Sequence, residues 1–373
     1  MPQIIDTTLR EGEQAPGVYF TLAAKKRILT GLAGLGVEEV EVGVASHEHQ
    51  DLAPVCRFMH NALPDQPFSL WCRCREADIR YAASLAPSCL ALSIPSSDLH
   101  LRKKLSKNRD WAANQLKLSI GLALELGIPR VAVGLEDATR AEFKFIKQLA
   151  TIARNQGASR LRLADTVGIA TPDQIKKLIT GLLGINIELG VHCHNDFGMA
   201  TANTITALEH GARWGDATLL GLGERAGNCR LEEVVCFLAL LREGKPYKLD
   251  RLRELSDFTA DQIGFAIPPS RPIIGSDLFC CETGLHLQGL MKDPSTYEPF
   301  DPAAIGRQRT LMVGRLAGKS CIKLTLKRLG LPWPDDQSLR HLTHRIRSLA
   351  TKLRRHLSDE EIHKLASDYF PTS

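Results

Sequence analysis

Residues 187–196 read Ile-Glu-Leu-Gly-Val-His-Cys-His-Asn-Asp, an apolar run that ends in two histidines one residue apart. We predict a β-strand over residues 187–194. Its period of two places His192 and His194 on one face and Cys193 on the other. Two imidazoles on one face form a pair of metal ligands, although histidines at such positions also serve as core or capping residues. Whether the two histidines bind a metal therefore has to be judged from the residues around them.

The rest of the chain alternates between short β-type runs and longer amphipathic helical patterns. The predicted strands are residues 3–6, 38–42, 68–72, 89–94, 130–134, 160–164, 187–194 and 217–221. The predicted helices include residues 22–35, 112–126, 142–155, 172–183, 200–210 and 231–241. Strands and helices that alternate eight times over about 240 residues predict an α/β fold, a (β/α)8 TIM barrel.

The alternative architecture is an open, doubly wound sheet with a nucleotide-binding loop after its first strand. No glycine-rich fingerprint follows residues 4–6. A glycine-rich run at residues 221–228 resembles a phosphate-cradling loop, but it follows the last predicted strand. Barrels often bind phosphate there, so we interpret the run as an active-site loop of the barrel.

We predict a catalytic barrel domain over residues 1–257 and a smaller, mainly helical region over residues 258–373. The closing helical segment is rich in lysine and arginine, which contribute to a net charge of +5. These charges alternate with Leu339, Leu342 and Ile346 at helical spacing, which indicates a solvated helix face and no nucleic-acid partner. The charge balance is also compatible with attracting acidic metabolites.

Composition indicates a globular protein, with 44% hydrophobic and 24% charged residues. The first residues lack the features of a secretory signal, and no apolar stretch is long enough to cross a membrane. The ten cysteines follow no regular disulfide framework, which is typical of a reducing compartment. We therefore expect a cytoplasmic protein without a membrane partner.

Polar residues follow several of the predicted strands, where the catalytic groups of a TIM barrel lie. They are Asp6 to Gln14 after the first strand, Asp165 and Thr166 after the sixth, His192 and His194 at the seventh, and Glu224, Arg225 and Asn228 after the eighth. We expect them to converge on one mouth of the barrel.

Two imidazoles and one carboxylate can hold a divalent ion and leave positions open for a substrate. Glu11 is the predicted third ligand, and Asp6 is the alternative. Arg10 and Glu11 could instead form a surface ion pair, but their occurrence together with the two histidines favours the metal site. The ligand types do not distinguish Mg, Mn, Zn and Fe.

Four motifs in order resemble the homocitrate and 2-isopropylmalate synthase family. They are DTTLREGEQ at residues 6–14, ADTVG at 164–168, HCHNDFGMATAN at 192–203 and GLGERAGN at 221–228. The similarity continues into residues 281–298 and covers roughly residues 3–320. It implies a condensation in which the enolate of acetyl-CoA attacks the ketone of a 2-oxo acid and the thioester is then hydrolysed.

The resemblance also implies roles for individual residues. Glu11, His192 and His194 match the metal ligands, with Asn228 assisting through water, and Arg10 would stabilise the developing alkoxide. His286 matches the catalytic base with Tyr297 as its partner, and Glu282 is placed among the catalytic residues. Gln14 and Thr166 match substrate contacts, although Thr166 could be a simple turn hydroxyl. Because this family's second region commonly reaches the barrel mouth of another subunit, a homodimer is implied, in which this region contributes to the dimer and to the active site as a lid.

The short chain and several local motifs are most similar to homocitrate synthases of the nitrogen-fixation type, which implies 2-oxoglutarate as the 2-oxo acid. The lysine-pathway enzymes bind its distal carboxylate with an arginine on the fifth strand, where this chain has Ala132. Arg73, Arg75 and Arg162 are candidates for the missing cation.

Other hypotheses stay open at this stage. The chain could act on another 2-oxo acid, as a 2-isopropylmalate, citramalate or Re-type citrate synthase. It could also be a lyase of the hydroxymethylglutaryl-CoA type. A catalytically inactive binding protein is a further alternative, suggested by Cys281 and by Leu316 and Ala317 at positions where the family has histidine, histidine and serine.

Overall fold

The computed structural model describes residues 1–242, 246–282, 286, 289–290, 292–332 and 335–369. The chain divides into two compact units, Met1–Ile267 and Pro268–Ser373. The boundary predicted between residues 257 and 258 falls within a helix, Leu252–Gln262, that belongs to the first unit. It packs closely on the helix Leu22–Leu35. A Cβ added at Gly31 of that helix would lie 2.6 Å from Leu255 Cδ1.

The first unit is a closed barrel of eight parallel strands in chain order, in which the first strand also pairs with the eighth. The predicted (β/α)8 fold is confirmed. The strands are β1 Gln3–Asp6, β2 Glu39–Val44, β3 Phe68–Arg73, β4 Cys89–Pro95, β5 Val131–Glu136, β6 Arg160–Asp165, β7 Glu188–Cys193 and β8 Trp214–Ala217.

Nine α-helices follow or join these strands within the described part of the first unit. They are α1 Leu22–Leu35, α2 Leu52–Ala62, α3 Glu76–Ser84, α4 Arg109–Glu125, α5 Phe143–Asn155, α6 Pro172–Thr180, α7 Ala200–Glu209, α8 Leu231–Leu241 and α9 Leu252–Gln262. Capping residues determine where these helices begin and end. In α1, the Thr21 side chain accepts a hydrogen bond from Ala24 N, and Gly36 ends the helix at φ 96°.

The eighth strand was predicted wrongly. It occupies Trp214–Ala217, whereas the predicted residues 217–221 lead into a short 3-10 turn, Leu219–Gly221, in which Leu220 has φ 60°. The prediction followed apolar residues, but this strand carries a glycine and an aspartate, and Asp216 is only 2% exposed. A strand whose buried side chain is charged does not show the apolar pattern on which the prediction depended.

The interior of the barrel contains charged side chains rather than only the branched aliphatic residues usual in this fold. Arg160 on β6 donates to Glu39 on β2 at 2.8 Å, and Arg162 donates from Nη1 to Glu41 on β2 at 2.9 Å and to Asp216 on β8 at 2.8 Å. Because β2, β6 and β8 are not neighbours in the sheet, these contacts must cross the barrel. The interior is therefore a buried ion-pair network.

The second unit is mainly helical, as predicted. A parallel pair of two-residue strands, β9 Cys280–Cys281 and β10 Thr310–Leu311, precedes the helices α10 Lys319–Arg328, α11 Asp336–Leu353 and α12 Asp359–Ser367. Leu339, Leu342 and Ile346 of α11 are fully buried in an apolar cluster with residues of α10 and α12. The apolar side of the predicted amphipathic pattern thus forms the core of this unit.

None of the helices among the described residues has both the length and the apolar character needed to cross a bilayer.

The Glu39–Arg160 pair provides a test of the charged interior. We expect Arg160→Leu to lower the free energy of unfolding by about 3 kcal/mol, because it removes the cation that donates to the buried Glu39 carboxylate and leaves Arg130, 3.5 Å away, as its charged partner. The double variant Glu39→Leu/Arg160→Leu should recover most of the loss. Urea unfolding measures both values, and a double variant no more stable than the single one would contradict the expectation.

Candidate metal centre and active-site cavity

A cavity of about 230 Å³ lies at the carboxyl ends of the barrel strands. Residues predicted from four separate segments of the sequence line it: Arg10, Glu11, Gln14, Arg162, Thr166, His192, His194 and Glu224. The expected convergence of strand-end residues is present. A larger cavity of about 650 Å³ lies around the strand starts at Gln3, Arg160 and Trp214, and no such ligand set is found there among the described residues.

Glu11, His192 and His194 form a compact and buried set of ligands. His194 Nε2 lies 3.3 Å from Glu11 Oε1, and His192 Nε2 lies 3.7 Å from Glu11 Oε2. One ligand atom from each of the three residues lies within 4.8 Å of the others. A carboxylate and two imidazoles at this spacing fit a divalent metal ion and leave coordination positions open.

Asn228 supplies a second observation that fits a metal ion. Its Nδ2 donates to the Leu222 carbonyl at 2.8 Å, while its buried Oδ1 has no hydrogen-bond partner among the described residues. An unsatisfied buried amide oxygen is costly, and an ion or ion-bound water would satisfy it. A Cβ added at the adjacent Gly223 would lie 3.5 Å from Glu11 Cγ, so the amide is close to the proposed ligands.

Hydrogen bonds to the far ring nitrogens orient both histidines. His192 Nδ1 lies 3.0 Å from Asp216 Oδ2, and His194 Nδ1 lies 3.2 Å from the Asp165 carbonyl oxygen. Each acceptor places the proton on Nδ1 and leaves the Nε2 lone pair directed towards Glu11. Asp216 was missed in the sequence because it lies on the strand that was predicted wrongly.

Burial keeps the two imidazoles neutral. It lowers the pKa of His192 to about 4, although Asp216 opposes this shift, and together with the Arg225 charge it lowers the pKa of His194. Burial alone would raise the pKa of Asp216, but the Arg162 guanidinium and His192 hold it at about 2. Neutral imidazole is the form that binds a metal, so both residues are ready ligands near neutral pH.

Glu11, not Asp6, is positioned as the third ligand. The two oxygens of Asp6 accept hydrogen bonds from Thr8 N at 2.9 Å and Thr8 Oγ1 at 2.8 Å, and burial raises its pKa to about 7. Arg10 does pair with Glu11, but the pair is buried rather than on the surface, and Arg10 Nε also donates to Glu41 at 2.5 Å. The guanidinium is thereby held beside the ligand set.

The predicted substrate contacts differ in their surroundings. Thr166 Oγ1 accepts a hydrogen bond from Asp137 N at 2.8 Å, so its own O–H remains a donor. Gln14 is exposed and lines the cavity. Arg73 is not among the residues that line the cavity, and its guanidinium donates hydrogen bonds to Asp78 at 2.6 and 3.2 Å.

Three polar lining residues were missed in the sequence. Ser93 lies two residues before the end of β4, Glu136 ends β5, and Lys104 lies on the helical turn His100–Lys104. Glu136 accepts hydrogen bonds from Ser93 Oγ at 3.0 Å and from Lys104 Nζ at 2.9 Å. The rule that strand ends carry function would have found Ser93 and Glu136 had it been applied to these two strands.

Arg225 connects the 221–228 loop to residues that follow β6 and β7. Arg225 pairs with Asp196 at 2.8 Å and with Glu224 at 3.3 Å, and its Nη2 donates to the Thr166 carbonyl at 2.8 Å. Glu224 and Arg225, both predicted after the eighth strand, thus pair with each other within this loop.

The remaining predicted residues belong to the second unit. The His286 and Tyr297 rings are in contact, with centroids 4.4 Å apart and an interplanar angle of 37°. Glu282 Oε1 accepts a hydrogen bond from Leu316 N at 2.9 Å. Their catalytic roles remain predictions.

Comparison with known proteins gives consistent results for both units. Residues 1–259 match the HMGL-like family, and residues 273–354 match the family described as homocitrate synthase post-HMGL domain-like. The chain is 39% identical to a homocitrate synthase of Frankia alni over 87% of this chain and 93% of that protein. It is 35% identical to 2-isopropylmalate synthase 2 of Caldanaerobacter subterraneus over 98% and 95% of the two chains.

A solved structure of similar fold is the HMG-CoA lyase of Bacillus subtilis, with a TM-score of 0.65. The match covers 73% of this chain and 98% of that one. At 21% sequence identity, it supports the barrel fold alone.

We expect His192→Ala to abolish stoichiometric binding of a divalent metal, because it removes one of three protein ligands. Metal content per chain, measured by atomic emission after gel filtration, tests this. His210→Ala is the matched control, because this histidine bonds to the Thr206 carbonyl on α7, outside the cavity. Unchanged metal content and turnover in His192→Ala would exclude the proposed centre.

Asp216→Asn tests the orientation of His192. We expect metal affinity to fall about 10- to 100-fold, because the charged acceptor that holds the ring is lost. Titration against a chelating indicator measures the change. Asp196→Asn, which alters a carboxylate bonded to Arg225 instead, should bind metal as the unchanged protein does, and equal affinities in all three proteins would argue against the orienting role.

Proposed function

The chain belongs to the HMGL-like family, and we propose that it is a homocitrate synthase. In this reaction acetyl-CoA, 2-oxoglutarate and water give homocitrate and CoA. A new bond joins the acetyl methyl carbon to the ketone carbon, and water cleaves the thioester. The observation that carries the proposal is the buried Glu11–His192–His194 set beside Arg10 in a cavity of the size of a small organic acid.

A divalent ion held by Glu11, His192 and His194 would supply Lewis acidity to the carboxylate and ketone of the 2-oxo acid. Arg10 lines the same cavity, and Glu41 fixes its guanidinium from behind through the 2.5 Å bond. A fixed positive charge beside the ketone oxygen stabilises the alkoxide that forms when the carbon–carbon bond is made. The Thr166 hydroxyl, whose acceptor side is occupied by Asp137 N, can donate to a substrate oxygen.

The methyl group of acetyl-CoA needs a base, and we assign this role to His286. Its ring contacts Tyr297, which would orient it, and both side chains are exposed in the second unit. Glu282 would act in the same step. We propose that this unit serves a barrel mouth in a homodimer, so that base and metal centre come from two chains.

The identity of the 2-oxo acid rests on relatives of two kinds. Similarity over nearly the whole chain to a homocitrate synthase supports 2-oxoglutarate, and a comparable similarity to a 2-isopropylmalate synthase supports the second candidate, a branched 2-oxo acid. Lys104, Glu136 and Arg162 line the same cavity as the metal ligands. These charged groups favour an acid with a second charged group.

Turnover with a panel of 2-oxo acids tests the proposal. We expect the metal-loaded enzyme with acetyl-CoA to release CoA most efficiently with 2-oxoglutarate, compared with 2-oxoisovalerate, pyruvate and oxaloacetate. A thiol reagent follows CoA, and kcat/KM is compared across the panel. Preference for another acid would contradict homocitrate synthesis and leave the condensation standing. No CoA release with any acid would contradict the condensation itself.

A further inference from the structure

The metal centre explains only part of the cavity lining. Besides Glu11 and the two histidines, the cavity is lined by Ser93 on β4, Gly134 on β5 and Arg162 on β6. A 2-oxo acid held through its carboxylate and ketone by the metal would place its remaining carbons in the same cavity. The other lining groups therefore determine which 2-oxo acid fits.

One edge of the Arg162 guanidinium, formed by Nε and Nη2, makes no hydrogen bond to a described residue. It is 4% exposed, and both of its ion pairs use Nη1, with Glu41 at 2.9 Å and Asp216 at 2.8 Å. No described residue accepts a hydrogen bond from its Nε or Nη2. These two atoms form the side of the guanidinium whose parallel N–H groups match both oxygens of a carboxylate.

Gly134 leaves room in front of this edge. A Cβ added there would lie 3.8 Å from Arg162 Nε and 3.8 Å from Ser93 Oγ. The missing side chain thus leaves space beside the guanidinium edge. This edge is a donor, so the space suits an acceptor group of the substrate, whereas the Ser93 hydroxyl gives its one hydrogen to Glu136 Oε1 at 3.0 Å.

A second cation lies at the rim of the same space. Lys104 is about half exposed, and its Nζ donates to Glu136 Oε2 at 2.9 Å. An ammonium group has three donors, so Lys104 can keep Glu136 and bind a second carboxylate. Glu136 also lines the cavity, but its carboxylate accepts hydrogen bonds from Lys104 Nζ and from the Ser93 hydroxyl.

Arg73, another arginine near a strand end, differs in the decisive feature. Its Nε and Nη2 both donate to Asp78, at 2.6 and 3.2 Å. The edge that is unused in Arg162 is therefore occupied in Arg73.

We propose that the Nε–Nη2 edge of Arg162 and the Lys104 ammonium bind the distal carboxylate of the substrate, which is a 2-oxo dicarboxylate. The proposal rests on the condensing function above. An apolar branched side chain in the same space would leave the buried guanidinium edge without an acceptor. That cost discriminates against 2-oxo monocarboxylates.

Gly134→Ala and Lys104→Met test the subsite without breaking the ion pairs of Arg162. The alanine methyl fills the space at ordinary van der Waals distances, so the barrel should keep its thermal stability. We expect each variant to raise KM for 2-oxoglutarate about 10-fold or more, as for the loss of a charge-assisted hydrogen bond. The value of kcat, the metal affinity and the KM for acetyl-CoA should stay close to those of the unchanged enzyme, and the weak turnover of pyruvate should not fall.

Lys103→Met is the matched control for Lys104→Met, because Lys103 lies on the same turn, is exposed and is not among the residues that line the cavity. Equal effects of Gly134→Ala and Lys104→Met on pyruvate and 2-oxoglutarate would overturn the subsite. So would a preference of the unchanged enzyme for a monocarboxylate, although the condensing function would then stand.

Calorimetric binding separates the two proposals if turnover is absent. The metal-loaded protein without acetyl-CoA is titrated with 2-oxoglutarate and with 2-oxoisovalerate. Tighter binding of the dicarboxylate that is lost in Gly134→Ala supports the subsite even if no CoA is released. Equal affinity for the two acids, or no effect of the substitution, overturns the subsite whatever the reaction is.

Discussion

The Arg162 guanidinium, buried inside the barrel, is the contact on which the site depends. Through Nη1 it binds both Glu41 and Asp216. Glu41 in turn holds Arg10, and Asp216 holds the His192 ring. The charge that would stabilise an alkoxide and a ligand that would hold the metal are thus positioned by one residue. Its remaining edge faces the cavity, so the same side chain can also contact the substrate.

Because the barrel interior is charged, most of the stability of this unit must come from apolar packing between the strands and the surrounding helices. Buried ion pairs add little net stability over apolar packing, because desolvation offsets their attraction. The apolar core lies instead on the other side of the strands, where residues such as Leu90, Leu92 and Val133 are fully buried. Burial of apolar surface there stabilises the barrel and allows the interior to be organised around the site.

The barrel could be predicted because the period of each strand and helix is local, and regular alternation admits few topologies. The prediction failed at β8, where Asp216 takes an inward position on a strand without an apolar pattern. The boundary between the units was likewise not visible, because α9 looks like any amphipathic helix until it packs on α1. Glu11, His192 and His194 were predicted because strand position and motif agree. Ser93 and Glu136 lie near strand ends to which the same rule was not applied, whereas Lys104, on the turn His100–Lys104, belongs to no pattern that the sequence shows.

By itself, the sequence determined the order of the elements and the family and predicted the candidate ligand set, since each depends on residues that are near one another in the chain or in a recognisable motif. Only the tertiary structure decided which charges pair. Arg73 and Arg162 look alike as strand-end arginines, yet Asp78, five residues away, occupies the carboxylate-binding edge of the first. Glu41 and Asp216, on two other strands, leave that edge of the second unused. Closure of the barrel brings those distant strands within hydrogen-bond distance, and no local pattern encodes that contact.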